Sequence, residues 1–134
     1  MTSFNDFAFE VKMSITTGDV GGVIFRTDGN YGYVLTIDTH GFSRLTLYAT
    51  GSTQPKTLWE GKVSALKQGY GQVNTVGIVT QGSTISWYIN SQRINSVSNS
   101  TFTSGGVGMI GGLYSNSTNK NSDVTFGSLR VWSL

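Results

Sequence analysis

Phe7-Ala-Phe-Glu-Val-Lys-Met-Ser-Ile15 alternates without a break, with Phe7, Phe9, Val11, Met13 and Ile15 on one side and Glu10, Lys12 and Ser14 on the other. Successive side chains of a strand point to opposite faces, so a period of two predicts a β-strand with an apolar face for a core and a polar face for water. The same pattern recurs along the chain. Tyr31, Tyr33, Leu35 and Ile37 share a face over Tyr31 to Asp38. Over Ser43 to Ala49, Leu45 and Leu47 oppose Arg44, Thr46 and Tyr48. Ile85, Trp87 and Ile89 alternate with Ser86, Tyr88 and Asn90.

Turn chemistry punctuates these runs. A turn is expected around Gly18 to Gly22, leading into a strand at Val23 to Thr27. Further reversals are expected at Asp28-Gly29-Asn30, His40-Gly41, Lys67 to Gln72 and Gln81-Gly82-Ser83, the last joining Val73 to Thr80 with Thr84 to Asn90 as a hairpin. Thr57 to Glu60, Arg93 to Val97, Gly106 to Ile110 and a long final run from Asp123 to Leu134 complete about ten strands, with a polar loop over Ser115 to Ser122. Close spacing, one proline, no helical periodicity and no fixed repeat predict an all-β fold: two antiparallel sheets face to face, or a barrel. At 134 residues, with no composition break, residues 1–134 are expected to form a single domain.

Composition removes several function classes. There is no cysteine and one histidine, His40, so disulfide frameworks and thiolate or histidine-rich metal sites have no ligands. Charged residues make up only 12% of the chain, about half of the ~25% usual in globular domains, and the net charge is +2. Scattered basic residues and so little charge argue against a nucleic-acid partner. No apolar run is long enough for a transmembrane helix, so no membrane insertion is expected. Seventeen serines, seventeen threonines and nine asparagines supply the polarity instead. A hydroxyl- and amide-rich surface with many aromatics is common in exported and bacterial surface β proteins, and the expected location is extracellular or cell-surface.

Three segments carry a resemblance over most of the chain. They are Phe4-Asn-Asp-Phe-Ala-Phe-Glu-Val11; Gly21-Gly-Val-Ile-Phe-Arg26 followed by Tyr31-Gly-Tyr33; and Val73-Asn-Thr-Val-Gly-Ile-Val79 with Gly82-Ser-Thr-Ile-Ser-Trp-Tyr-Ile-Asn90. Their order resembles the concanavalin A-like lectin and glucanase superfamily, in particular compact laminin-G-like jelly rolls and bacterial sugar-binding modules. The resemblance implies a two-sheet antiparallel jelly-roll sandwich, and matches Arg26 to an arginine of that pattern. Two departures stand out. Asn90-Ser91 occupies a turn that is Asn-Gly in the family, and fits if the asparagine is left-handed. The chain also starts at the first of these segments without a preceding strand, so the closing strand, Val124 to Leu134, is expected to take a sheet edge or to pair differently, which favours self-association.

The superfamily holds hydrolases as well as lectins, so catalysis has to be judged on residues. Glycoside hydrolysis needs two carboxyl groups facing one bond. Glu10 and Glu60 are the only glutamates, the aspartates fall in turns or at strand ends, and no closely spaced acidic group appears. His40 stands in a turn with no nucleophile-elbow sequence nearby. The expectation is therefore no enzyme activity.

Sugar recognition needs aromatic faces for the apolar side of a ring and amides, carboxylates or arginine for its hydroxyls. The candidates are Arg26, Tyr48, Trp59, Tyr70, Tyr88, Asn90 and Tyr114. Arg26 ends an apolar strand and reads either as a donor to hydroxyls or acid groups, or as a structural partner of Asp28, Asp38 or a carbonyl. Tyr70 stands between two glycines, and Trp59 and Tyr114 border polar loops. Trp87 and Trp132 are assigned to the core or an apolar seam. Asn116, Asn119, Asn121 and Asp123 could gather oxygens for calcium, although they follow no calcium-loop template. The expected function is a non-catalytic carbohydrate-binding or sensing module, carried as a homo-oligomer or within a host multidomain protein. The alternatives are a structural or protein-interaction sandwich of a surface, fibre or shell assembly, and a glycoside hydrolase with an unusual carboxylate pair.

Overall fold

The structure, a computed structural model, describes residues 6–28, 30–49, 54–112 and 117–134. Among these lie ten strands: β1 (Phe7–Thr17), β2 (Val20–Thr27), β3 (Gly32–Asp38), β4 (Phe42–Tyr48), β5 (Lys56–Lys62), β6 (Val73–Gln81), β7 (Thr84–Ile89), β8 (Gln92–Ser98), β9 (Gly106–Gly112) and β10 (Asp123–Ser133). The first sheet runs β10-β1-β6-β7-β8 and the second β5-β4-β3-β2-β9, with every neighbouring pair antiparallel. This is the all-β, two-sheet antiparallel jelly-roll sandwich. No helix among the described residues is long and apolar enough to cross a membrane.

The alternation read from the sequence becomes the core. Phe7, Phe9, Val11, Met13 and Ile15 of β1 are buried with Val76 and Ile78 of β6 and Ile85, Trp87 and Ile89 of β7. Facing them are Val23 and Phe25 of β2, Tyr33, Leu35 and Ile37 of β3, and Leu45 and Leu47 of β4. Rings link the sheets: Phe9 lies 6.5 Å from Phe25, which stacks on Tyr33 at 5.4 Å.

Polar clamps close the two ends. At one, Asn74 Oδ1 accepts from the Lys67 N–H (2.9 Å) and Asn90 Nδ2 donates to the Ala65 carbonyl (2.7 Å), seating the loop that carries buried Val63 and Leu66. Buried backbone polar groups need such partners. At the other, Arg26 Nη1 donates to the carbonyls of Gly82 (2.7 Å) and Phe102 (3.3 Å).

Three expectations meet the structure here. Asn90 and Ser91 have φ of 52° and 69°, so the β7–β8 connection is the left-handed turn that the asparagine allows. The closing strand, β10, takes an edge beside β1. The expected turn at Gly18 to Gly22 is shorter, because β2 already starts at Val20 and includes both Gly21 and Gly22. A side chain at Gly22 would run into the Leu35 carbonyl of β3, so this glycine permits close strand approach rather than a reversal.

Candidate functional site

On the second sheet, β4 exposes Phe42, Arg44 and Tyr48 while Leu45 and Leu47 enter the core, as its alternation predicts, and Thr46 between Arg44 and Tyr48 is buried. Pairing then brings neighbours that are distant in sequence. Arg44 stands between Thr36 of β3 and Glu60 of β5, and Phe42 opposite Lys62. Arg44 Nε donates to Glu60 Oε2 at 2.9 Å, with the two side chains 50% and 55% exposed. Asp38, at the end of β3, accepts at Oδ1 from the N–H groups of His40 (2.9 Å) and Phe42 (2.8 Å), which shapes the β3–β4 turn.

Together these residues line a shallow depression of about 130 Å³ formed by Thr36, Asp38, Phe42, Ser43, Arg44 and Glu60. Half-exposed Phe42 offers an apolar ring beside a fixed guanidinium and carboxylate, and half-exposed Tyr48 stands at the far end of β4. The exposed ion pair contributes little to stability. Chemically, the depression presents donors, acceptors and one apolar face to a small polyhydroxylated group. Its two carboxylates each accept from N–H donors, Asp38 at Oδ1 and Glu60 at Oε2. Glu10 lies on the first sheet, where it pairs in register with Gly77 and Arg130, and cannot join Asp38 or Glu60.

The structure separates the sequence candidates. Tyr48 reaches this face, but Arg26 does not. A bulge between Phe25 and Thr27 interrupts the alternation, Arg26 takes a φ of 49°, and its side chain is 0% exposed. It is a structural residue, and its closest acidic partner is Asp6, at 3.6 Å, rather than Asp28 or Asp38. Trp59 is also corrected: it lies opposite inward-facing Leu45 and meets Trp87 edge-on at 5.4 Å, so its ring belongs to the core margin. Asn90 is consumed by its turn, accepting at Oδ1 from the Thr75 N–H (2.9 Å) and donating to Asn74 Oδ1 (2.9 Å) as well as to Ala65. Tyr70 is exposed on the 67–72 turn, its hydroxyl donating to the Gly18 carbonyl at 2.9 Å, and it is not among the residues lining the Arg44 depression. Tyr88 points outward from the first sheet, on the opposite side of the sandwich. Tyr114 and Asn116 lie outside the described residues.

Trp132 reverses its assignment. It is 46% exposed on the outer face of β10, whereas Trp87 is fully buried as expected. Of the groups considered for calcium, Asn119 donates from Nδ2 to Asp19 Oδ1 (2.9 Å), and Asp123 Oδ2 accepts from Thr16 Oγ1 (3.0 Å). Among the described residues no three His, Cys, Asp or Glu side chains cluster for a metal. The residues of these surfaces that were not among the sequence candidates are Phe42, Arg44 with its partner Glu60, and the outer-face glycine Gly77. Gly77 left a local trace, as a gap in an otherwise β-branched run.

No model of a known protein family matches the chain, and no curated protein sequence does either. Solved structures do share its fold. The carbohydrate-binding module CBM66 from Bacillus subtilis aligns with a TM-score of 0.80 and 19% identity, over 98% of this chain and 78% of that one. Sheep galectin-11 in complex with glycerol aligns with a TM-score of 0.63 and 10% identity, over 98% and 92% of the two chains. The CBM40 of Ruminococcus gnavus IT-sialidase, bound to α2,6-sialyllactose, aligns with a TM-score of 0.57 and 18% identity, over 96% and 77%. The fold is thus a jelly-roll sandwich shared with these solved structures.

Proposed function

We propose that residues 1–134 act as one non-catalytic carbohydrate-binding module, of the kind found on bacterial extracellular or cell-surface proteins, and that the outer face of the second sheet holds the sugar. The observation that carries this reading is the Arg44–Glu60 pair, fixed at 2.9 Å yet half exposed, beside half-exposed Phe42 in one depression. Arg44 would donate to vicinal hydroxyls, Glu60 would accept from them, and Phe42 would cover an apolar ring face, with Tyr48 extending the surface along β4. No perturbed catalytic group is required. The fold shared with a named carbohydrate-binding module and with a sialyllactose-bound one supports the same reading.

A glycan array followed by calorimetry on the best ligand tests it. Arg44→Ala is expected to weaken binding by about tenfold or more, since a hydrogen bond to a charged group contributes roughly 1.5–3 kcal/mol. Glu60→Gln should weaken it less. Binding should persist in chelator, and the glycan should be recovered uncleaved. An array without saturable binding, or affinity indifferent to Arg44, sinks the proposal, and cleavage of the glycan by the wild type would favour a hydrolase.

A protein-interaction role has one observation in its favour. Met109, Leu129, Val131 and Leu134 are exposed along β9 and the β10 edge. Concentration-dependent sedimentation abolished by Leu129→Lys, with no glycan bound, would decide for assembly.

A further inference from the structure

The outer face of the first sheet carries a row that register alone defines: Arg130 of β10, Glu10 of β1, Gly77 of β6, Tyr88 of β7 and Arg93 of β8 stand side by side. Every position in the row has a long side chain except the central one. Gly77 has no conformational need to be glycine, since its φ is not in the left-handed region. It has no steric need either. A Cβ there would meet only Tyr88 Cβ at 3.6 Å and the Phe9 carbonyl at 3.7 Å, both ordinary contacts. Glycine inside a strand weakens it, and where neither φ nor crowding demands it, the remaining effect is the space it leaves.

That space is a slot between β1 and β7, whose axes stand two strand spacings apart, about 9.6 Å. Trp132, from the adjacent row, closes one side and half-buried Tyr88 the other, and Glu10, Thr75 and Ser91 supply polar groups around a depression of about 140 Å³. Two amphipathic rings beside a carboxylate and two hydroxyls suit a ring that is apolar on its faces and hydroxylated on its rim. We infer that this slot is a second binding site, for a single saccharide ring, on the side of the sandwich opposite Arg44. With two such sites on opposite outer faces, one chain bridges two glycan segments, and avidity on a polymer exceeds either single affinity.

Amide chemical-shift titration with methyl β-glucopyranoside, methyl β-galactopyranoside, methyl α-mannopyranoside and methyl β-xylopyranoside reads both faces in one experiment. The expected result is saturable movement of the Trp132 indole N–H and of the Gly77 and Tyr88 amides with at least one of the four. Gly77→Val fills the slot with a good strand former, and should weaken that response by about tenfold or more while the protein stays folded. Trp132→Ala should do the same, and Arg44→Ala should leave it unchanged. No saturable movement at these groups, movement that survives Gly77→Val undiminished, or movement produced by an acetylated proline-rich peptide and by none of the glycosides overturns the inference. Failure of the Arg44 site shows separately, at the amides of Phe42, Arg44 and Glu60.

Discussion

Arg26 is a fully buried cation that stitches the two sheets together. Its Nη1 donates to the Gly82 carbonyl at 2.7 Å, and its partner Asp6 accepts from the Gly82 N–H at 2.8 Å, so charge and turn fix one another. Desolvation lowers the pKa of the guanidinium below its ordinary value, with Tyr33 and Asp6 opposing the shift, and an arginine so placed stays protonated. Arg26→Met should therefore cost about 3 kcal/mol in urea unfolding, since it strips charged hydrogen bonds from buried carbonyls, yet leave the glycan affinity of the folded protein unchanged. Arg26→Lys should recover little, because an ammonium lacks the planar fork. Tyr33, beside it, donates to Asn99 Oδ1 at 2.5 Å, and burial pushes its phenol above the ordinary value. The folded state thus holds this proton more tightly than the unfolded chain. The contribution is complete below the ordinary tyrosine value of about 10 and is lost as pH rises from there through the raised folded value. Urea midpoints followed upward through that range should fall more steeply for the wild type than for Tyr33→Phe, and parallel slopes would show that Tyr33 does not couple to folding.

Among the elements, the β7–β8 hairpin shows how much of a connection is written locally. Asn90 and Ser91 both have positive φ, a conformation asparagine tolerates and serine resists. Ser91→Gly is expected to raise stability by about 0.5 kcal/mol, the relief of left-handed strain exceeding the extra freedom given to the unfolded chain. Asn90→Ala should cost about 2–3 kcal/mol, because it adds strain and leaves the Ala65 carbonyl and the Thr75 N–H without their partner. Thermal unfolding of both variants checks the pair of signs. The turn was legible in Asn90-Ser91, and the outward face of β4 was legible in its alternation, which placed Arg44 and Tyr48 correctly. What alternation does not reveal is where it breaks. The bulge after Phe25 turned Arg26 inward, and that between Leu45 and Thr46 shifts the β4–β5 register beside Trp59. Glu60 reaches Arg44 through that β4–β5 pairing, a non-local fact that no window of sequence contains. Trp132 misled because a tryptophan in the terminal strand reads as a core residue, yet β10 lies at a sheet edge and leaves it exposed.

Across the whole molecule, stability is graded from β1 outward. β1 sits between β10 and β6 with five apolar side chains buried, whereas β10 is exposed along most of its length, with Val124 and Phe126 only partly covered. Few buried apolar contacts and an open edge make β10 the element that costs least to detach, so its amides should exchange through a sub-global opening while those joining β1 to β6 exchange only with global unfolding. Trp132 ties this gradient to function, because a ring seated against it and Gly77 binds only while β10 is docked. A saturating glycoside in the slot should then slow exchange in β10 by the factor 1 + [L]/Kd, and leave the amides between β4 and β5 unaffected. Protection spread evenly over both sheets would instead mean that the ligand stabilises the fold from elsewhere. Protection confined to β4 and β5 would put the sugar at Arg44 alone, and Gly77 would have to be explained by something other than a ligand.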